Sequence, residues 1–176
     1  MSDNRKKYTI LFTVLAAALV ALDQITKYMV TVSFEIWEQR DLIKGFLSLY
    51  YVRNTGSAFS FLADKSWGIH VLTWISLVMG IAIYYVMLKA VKVSNVLLST
   101  ALMLLFAGAV GNLIDRAVYR SVVDFIRFDF GSYTFPIFNV ADICAVVGTG
   151  LVIFALIFKN KNSDAVWEEV FHGRKA

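Results

Sequence analysis

The 176-residue chain lacks the residues that disulfide and zinc sites require. It has one cysteine, Cys144, so no internal disulfide can form. Its two histidines, His70 and His172, are far apart in sequence and stand beside no Cys/His cluster, which argues against a zinc site. It also has no glycine-rich phosphate-binding loop. We therefore expect no metal ion and no organic cofactor.

Charge is also scarce, since only 17% of the residues are Asp, Glu, Lys or Arg and 59% are hydrophobic. A soluble domain of this length could not bury so much apolar side chain, so lipid is the expected solvent. The net charge of +4 does not predict a nucleic-acid partner, because the basic residues stand at the ends of apolar runs. We predict a single integral membrane domain over residues 1–176.

Four apolar segments are long enough to cross the hydrocarbon core, which takes about 20 residues. They cover about residues 8–28, 67–88, 93–114 and 137–158. The first could instead be a cleavable signal peptide, because basic residues precede it and small residues end it. Its length and the three later spans favour a retained helix. The sequence therefore predicts an all-α membrane protein with four transmembrane helices.

Basic residues near the ends of the spans predict the orientation. Three basic groups, within residues 5–7, 89–92 and 159–161, fall on one side of the membrane, which becomes the cytoplasmic side. Both termini are then cytoplasmic, and the two long connections, residues 29–66 and 115–136, lie outside.

The outer connections have strand-like sequences. In the first, FLSLYYVRNTGSAFSFL, aromatic and β-branched residues surround a turn-like Asn54-Thr55-Gly56. In the second, VVDFIRFDFGSYTF, apolar and charged residues alternate before a turn at Gly131-Ser132. Both predict short strands or hairpins on the membrane surface. The tail over residues 160–176 is polar, and we expect a short helix at AVWEEVF.

Acidic residues from three spans fall at a similar predicted depth. With a rise of ~1.5 Å per residue, Asp23 lies roughly 22 Å, Asp142 roughly 24 Å and Asp115 about 33 Å from the cytoplasmic ends of their spans. Ionisable groups in spans cost about 2.5–3.5 kcal/mol each at mid-bilayer and usually mark function. Other polar residues accompany these acids on the first and third spans: Gln24, Lys27, Asn112 and Arg116.

Each of these residues also has a purely structural interpretation. Asp23 and Lys27 have the i,i+4 spacing of an ion pair, and Arg116 could anchor its helix at the interface or pair with the preceding acid. Asn139 and Asp142 have the spacing of an N-cap and an acid at N3. A third group shares one helix face, on which small and amide residues commonly serve packing: Gly108, Gly111, Asn112 and Asp115.

A hydrolytic function is indicated by Asp124, which has apolar neighbours in SVVDFIRF. The connection from Asp124 to the fourth span is short enough to place it against Asp142. Two carboxylates in a partly dry site do not both ionise readily, so the pair can act as base and acid toward a water. Such a pair of carboxylates is what an aspartic peptidase needs to hydrolyse a peptide bond. A Ser/Lys dyad using Lys27 is conceivable, but no serine is obviously placed for it.

Three other classes of protein also place acids in membrane spans. A proton-coupled transporter would distribute polar residues through the bilayer, whereas the cytoplasmic halves of these spans are nearly free of them. A presenilin-type protease would carry a GxGD motif, which this chain lacks. A non-enzymatic scaffold would use its acids only to pair with Lys27, Arg116 and Arg127.

Five sequence blocks follow one another along the four spans: DQITKY, VRNTGSAFSF, AGAVGNLIDR, VVDFI and FPIFNVAD. Together they resemble the bacterial lipoprotein signal peptidase family, also called signal peptidase II. The resemblance implies four transmembrane helices with a small periplasmic β-cradle and a mobile extracellular helix or loop. It implies a multi-pass protein of the bacterial cytoplasmic (inner) membrane, with its active site at the periplasmic, outer-leaflet face.

By this resemblance Asp124 and Asp142 are a catalytic dyad that activates a water. The implied substrate is a prolipoprotein with a diacylglyceryl group on its lipobox cysteine, cleaved immediately before that cysteine, in contact with membrane lipid. Globomycin is the implied inhibitor class. By the same resemblance, the residues that match family positions lining or supporting the site are Asp23, Asn54, Asn112, Arg116 and Asn139. We expect four further substrate-binding or supporting residues: Lys27, Gly56, Gly108 and Asp115.

The chain departs from the family pattern at three positions. Arg120 stands where the family often has glycine, Ala107 where it often has the first of two glycines, and Phe135 where it often has tryptophan. These departures concern the shape of a turn and the contacts with lipid, and leave the two aspartates unaffected.

Overall fold

The computed structural model describes residues 2–56, 67–158, 165–166 and 168–170. Among them are four helices that are long and apolar enough to cross a membrane. These are α1 (Ser2–Ser33), α2 (Gly68–Lys92), α3 (Val96–Tyr119) and α4 (Val140–Ile157). Many large apolar side chains on these helices are exposed, as expected where the surrounding solvent is lipid. The predicted four-span membrane fold is confirmed.

The connection between α2 and α3 lies slightly later in the chain than predicted. The Asn95 side chain accepts a hydrogen bond from the Leu98 amide at 3.0 Å and caps the start of α3. Lys89 and Lys92, expected in the turn itself, instead belong to the last turn of α2, where the helix dipole favours cations. The prediction began the third span at Val93 and so included the polar Ser94 and Asn95, which instead precede α3.

A small antiparallel sheet lies beside one end of the helices. Its strands are β1 (Gln39–Ile43), β2 (Leu47–Asn54), β3 (Val122–Phe130) and β4 (Tyr133–Thr134), in the order β1-β2-β3-β4. The predicted hairpin at Gly131-Ser132 is confirmed, because β3 and β4 flank this turn. The prediction of an all-α fold with a small sheet therefore holds.

The strand predicted in the first outer connection is confirmed as β2. Strand β2 ends at Asn54, and residues 57–66, which would have continued the predicted hairpin, lie outside the described residues. The hairpin that the structure contains joins β1 to β2, with Gly45 in its turn at a φ of 73°. A positive φ is readily adopted by glycine, which has no Cβ.

The end of α1 continues beyond the predicted span and packs on the sheet. Val30 belongs to a buried apolar cluster with Tyr51, Val123 and Phe125. This cluster joins α1 to the two central strands of the sheet, and it places β3 next to the helices that carry the predicted site residues.

Helices α3 and α4 approach each other closely at small residues. A Cβ on Gly108 would lie 2.5 Å from the Ala141 carbonyl oxygen, and a Cβ on Gly148 would lie 2.9 Å from the Ala101 carbonyl oxygen. Distances this short would force the two backbones apart. The predicted packing role of the small-residue face on α3 is therefore confirmed for Gly108.

The opposite end of the bundle is closed by an apolar cluster that includes part of the tail. Val166 is buried against residues of α1, α2 and α3, among them Phe12, Met87 and Leu102. The described tail residues, 165–166 and 168–170, are helical, in agreement with the short helix predicted there.

Candidate active site

Asp124 and Asp142 line one cavity of about 370 Å³. Asp124 comes from the buried first half of β3, and Asp142 comes from the first turn of α4. Three of the predicted site residues line the same cavity: Asn54, Asn112 and Arg116. The structure thus brings together the two aspartates that lie 18 residues apart in the sequence.

The first turn of α4 orients Asp142 through reciprocal hydrogen bonds with Asn139. The Asn139 side chain accepts a bond from the Asp142 amide at 3.0 Å, and the Asp142 carboxylate accepts one from the Asn139 amide at 3.1 Å. The predicted N-cap is confirmed. Asp142 also lines the cavity, so one residue can both cap the helix and present a carboxylate to the cavity.

Side-chain amides hold the remaining carboxylate oxygens of both aspartates. Asp124 accepts hydrogen bonds from Asn54 Nδ2 at 3.0 Å and from Asn139 Nδ2 at 2.7 Å. Asp142 accepts one from Asn112 Nδ2 at 2.8 Å. Asn139 therefore contacts both aspartates, through its backbone amide on one side and its side chain on the other.

The environment of Asp124 favours its protonated form. The residue is only 3% exposed, and burial raises the pKa of Asp124 to about 7. The nearby charge of Asp142 acts in the same direction, whereas the hydrogen bonds from Asn54 and Asn139 and the charge of Lys27 oppose it. Asp124 can therefore hold a proton near neutral pH.

Lys27 is the centre of a buried polar cluster behind the two aspartates. Its Nζ atom lies 2.8 Å from Asp23 Oδ2 and 3.3 Å from Asp115 Oδ2. The same atom donates to Asn112 Oδ1 at 2.9 Å. The predicted i,i+4 pair of Asp23 and Lys27 is confirmed, and the structure adds Asp115 and Asn112 to it.

The two acids of this cluster also bind the backbone beside each cavity aspartate. Asp115 Oδ2 accepts a hydrogen bond from the Val123 amide at 3.0 Å, one residue before Asp124. Asp23 Oδ1 accepts one from the Ala141 amide at 2.8 Å, one residue before Asp142. The cluster around Lys27 therefore fixes the backbone on both sides of the cavity.

Gln24 is part of the cluster, although the sequence indicated it only as a polar neighbour. Its Nε2 atom lies within hydrogen-bond distance of Asp23 Oδ2 at 3.1 Å and Asp115 Oδ1 at 3.0 Å. The signal available in the sequence was its position directly after Asp23. Its partner Asp115, 91 residues away, could not be identified from the sequence.

Arg116 lines the cavity and contacts α2. Its Nη1 atom donates to Ser76 Oγ at 3.3 Å. The alternative in which Arg116 pairs with Asp115 is wrong, because among the described ion pairs Asp115 pairs with Lys27. The carboxylate of Asp115 points into the bundle toward α1, while Arg116 faces the cavity.

Two predicted glycines act indirectly. The Gly56 amide donates to Asn54 Oδ1 at 2.9 Å, which leaves the Asn54 Nδ2 atom directed at Asp124. Gly108 lies at the contact of α3 with α4 and does not line the cavity.

An apolar rim that directly precedes α4 also lines the cavity and was not predicted as part of the site. The sequence signal for it was the apolar start of the block FPIFNVAD, which supplies the rim residues Phe135, Pro136, Ile137 and Phe138.

Comparison with known proteins assigns the family. The sequence profile described as signal peptidase (SPase) II matches residues 15–158. The lipoprotein signal peptidase of Symbiobacterium thermophilum is 41% identical over 152 residues, which are 86% of this chain and 97% of that protein. That of Shouchella clausii is 40% identical over 149 residues, which are 85% of this chain and 94% of that protein.

The fold is similar to that of a bacterial membrane enzyme solved by the in meso method. The TM-score is 0.74 at 32% sequence identity, over 97% of this chain and 93% of that one. A second enzyme solved in the same way gives a TM-score of 0.72 at 35% identity, over 88% of this chain and 95% of that one. The transporter alternative has no support in these relatives. The chain belongs to the signal peptidase II family of bacterial membrane-bound aspartic peptidases.

Proposed function

We propose that the protein removes signal peptides from diacylglyceryl-modified prolipoproteins and cleaves immediately before the lipidated cysteine. Relatives with about 40% identity are named lipoprotein signal peptidases, which supports this substrate class. The observation that carries the proposal is the pair of Asp124 and Asp142 on one cavity, joined through Asn139.

The two aspartates differ in their suitability as base and acid. Asp142 accepts a backbone hydrogen bond at the N-terminus of α4, where the helix dipole stabilises a negative charge. Asp124 is buried, and its pKa of about 7 lets it hold a proton near neutral pH. We therefore assign Asp142 as the ionised general base and Asp124 as the protonated general acid.

The reaction begins with a water held between the two carboxyl groups. Asp142 takes a proton from this water as the water oxygen attacks the scissile carbonyl carbon, and Asp124 gives its proton to the carbonyl oxygen. In the second step the carbon–nitrogen bond breaks, Asp142 returns its proton to the leaving amine, and Asp124 regains a proton from the intermediate's hydroxyl group. Both aspartates end in their starting states.

The apolar rim of the cavity suits a lipid-anchored substrate. Phe135, Ile137 and Phe138 border the two aspartates on the side where α4 enters the membrane. An acyl-modified cysteine can keep its chains in the adjoining leaflet while its peptide bond reaches the cavity. The basic residues at the other end of the bundle support an orientation in which the cavity faces the periplasmic, outer-leaflet side and both termini are cytoplasmic.

The proposal is tested with purified Asp124→Asn and Asp142→Asn variants. We expect each to lose more than about 10³-fold of the cleavage rate for a diacylglyceryl-modified precursor, as measured by gel shift, because each lacks one proton-transfer group. Asp129→Asn is the matched control, since Asp129 lies on the same strand but pairs with Arg127 at the surface.

Thermal unfolding in detergent shows whether each variant is folded, and globomycin addition shows whether the residual cleavage belongs to this enzyme. Normal cleavage by a folded Asp124→Asn or Asp142→Asn protein would overturn the dyad. Equal cleavage of lipidated and unlipidated precursors would overturn the substrate class.

A further inference from the structure

A second cavity lies at the opposite end of the bundle from the aspartates, between the start of α1 and the end of α2. Its volume is about 480 Å³. From Arg5 at this cavity to Asp23 at the site, α1 rises by about 27 Å. The cavity is therefore separate from the catalytic one. The residues that line it, among those that the structure describes, are Arg5, Lys6, Thr9, Ile10, Leu88 and Lys92.

The charged part of this cavity is positive. It contains the cationic groups of Arg5, Lys6 and Lys92. Lys92 shares its charge with Glu169, at 2.6 Å between Nζ and Oε1. Among the ion pairs of the described residues, none involves Arg5 or Lys6. None of the described residues that line the cavity is acidic, and Lys92 shares the Glu169 carboxylate with Lys89. The positive charge of the lining suits an anionic ligand.

The apolar part lies deeper along both helices. Ile10 follows Arg5 by five residues and Leu88 precedes Lys92 by four, so each lies about 6–8 Å further along its helix from the cytoplasmic end than its cation. Ile10 is 63% exposed on the face that meets lipid. The lining therefore changes from cationic at the helix ends to apolar within about one and a half turns.

We propose that this cavity binds an anionic glycerophospholipid of the adjoining leaflet. Its phosphate lies between Arg5 and Lys6, and one acyl chain lies along Ile10 and Leu88. A guanidinium group binds phosphate through two parallel hydrogen bonds, and basic cavities between transmembrane helices suit such headgroups. A free phosphate ion would leave the apolar half of the lining unfilled, which is why we assign a lipid. This proposal is independent of the catalytic function.

The test is native mass spectrometry of the full-length protein with equal amounts of phosphatidylglycerol and phosphatidylcholine. We expect the wild type to retain phosphatidylglycerol preferentially. Replacing both cations in the variant Arg5→Gln/Lys6→Gln should weaken this retention by about 30-fold, since each cation near a lipid phosphate contributes about fivefold. Lys7→Gln is the matched control, because Lys7 has the same charge and is exposed but does not line the cavity.

Two further arms distinguish a bound lipid from a free phosphate ligand. Ile10→Ser should weaken phosphatidylglycerol retention, because it removes the acyl contact. Soluble glycerol phosphate should not displace the lipid at millimolar concentration. The proposal is overturned if the wild type shows no preference for the anionic lipid, if Lys7→Gln weakens retention as much as the double variant, or if glycerol phosphate competes fully. Thermal unfolding of each variant confirms that it is folded.

Discussion

Replacing Lys27 by methionine is the most informative single change in the buried cluster. The side chain is only 3% exposed, and its ammonium group is the cation shared by Asp23 and Asp115, which are each 1% exposed. Methionine has a similar length and helix propensity, so the change removes the charge with little effect on packing or on α1 itself. What remains is a pair of buried carboxylates without a cation.

The expected loss of stability is large. Breaking a buried ion pair by removing one partner costs about 3–5 kcal/mol, because the other charge stays buried without compensation. The Gln24 amide and the backbone amides of Val123 and Ala141 still bind the two acids, which argues for the lower half of that range. The Asn112 side chain, which donates to Asp142, also loses one of the two donors to its Oδ1 atom and keeps only the one from Asn139. We therefore expect at least a tenfold fall in cleavage rate as well, which is about 1.4 kcal/mol of transition-state stabilisation.

The measurement is the free energy of unfolding in mixed micelles, together with a double-mutant cycle. Lys27→Met/Asp23→Asn should be more stable than the sum of the single changes predicts, because the second change removes one of the uncompensated charges. Lys89→Met is the control: Lys89 lies 3.5 Å from Glu169 at a partly exposed site, so its loss should cost no more than about 1 kcal/mol. If the free energy of unfolding of Lys27→Met lies within about 0.5 kcal/mol of the wild-type value, the cluster does not stabilise the site.

Three further predictions concern the helix contact, pH and the end of α3. Gly108→Ala should lower the free energy of unfolding by about 1–3 kcal/mol, because its Cβ would meet backbone atoms of α4. The control is Gly150→Ala, whose Cβ would have no neighbouring atom of the described residues within 4 Å, and it should be neutral or stabilising in the same assay. The cleavage rate should fall as pH rises through about 7, because Asp124 then loses its proton. Asn54→Ala should move this fall to higher pH, because it removes a donor that stabilises the ionised carboxylate. An unchanged pH profile in Asn54→Ala would contradict this. Arg120→Gly should stabilise the protein by about 1 kcal/mol in thermal unfolding, since Arg120 is exposed and has a φ of 54°; a lower melting temperature would contradict this.

Features set by local spacing could be predicted from the sequence. Four apolar runs of sufficient length predicted the four helices, and Asn139 three residues before Asp142 predicted the N-cap. The i,i+4 spacing of Asp23 and Lys27 predicted their ion pair. In both pairs the partners lie within about one helical turn, so the helix geometry alone determines the contact.

Features that depend on how helices pack could not be predicted in the same way. The predicted depth of Asp115 in the membrane indicated that it lies near the other acids. Its contact with Lys27, however, depends on the rotation of α3 relative to α1. The bond from Asn139 to Asp124 depends on the register of β3 against the start of α4. One clue concerned Arg120: the family often has glycine there, and the structure gives the residue a left-handed conformation at the end of α3.

The position of Asp142 depends on a residue that has no side chain. A Cβ on Gly111 would lie 2.7 Å from Asp23 Oδ2 and 2.9 Å from Ala141 Cβ, so any larger residue in α3 would push α1 and α4 apart. With glycine there, Asp23 reaches across α3 to the Ala141 amide at the start of α4. Asp115 makes the equivalent contact to β3, and Lys27 joins the two acids. Lys27 on α1 therefore helps to fix the backbone next to each of the two cavity aspartates. For this reason we expect a change at Lys27 to alter the positions of both.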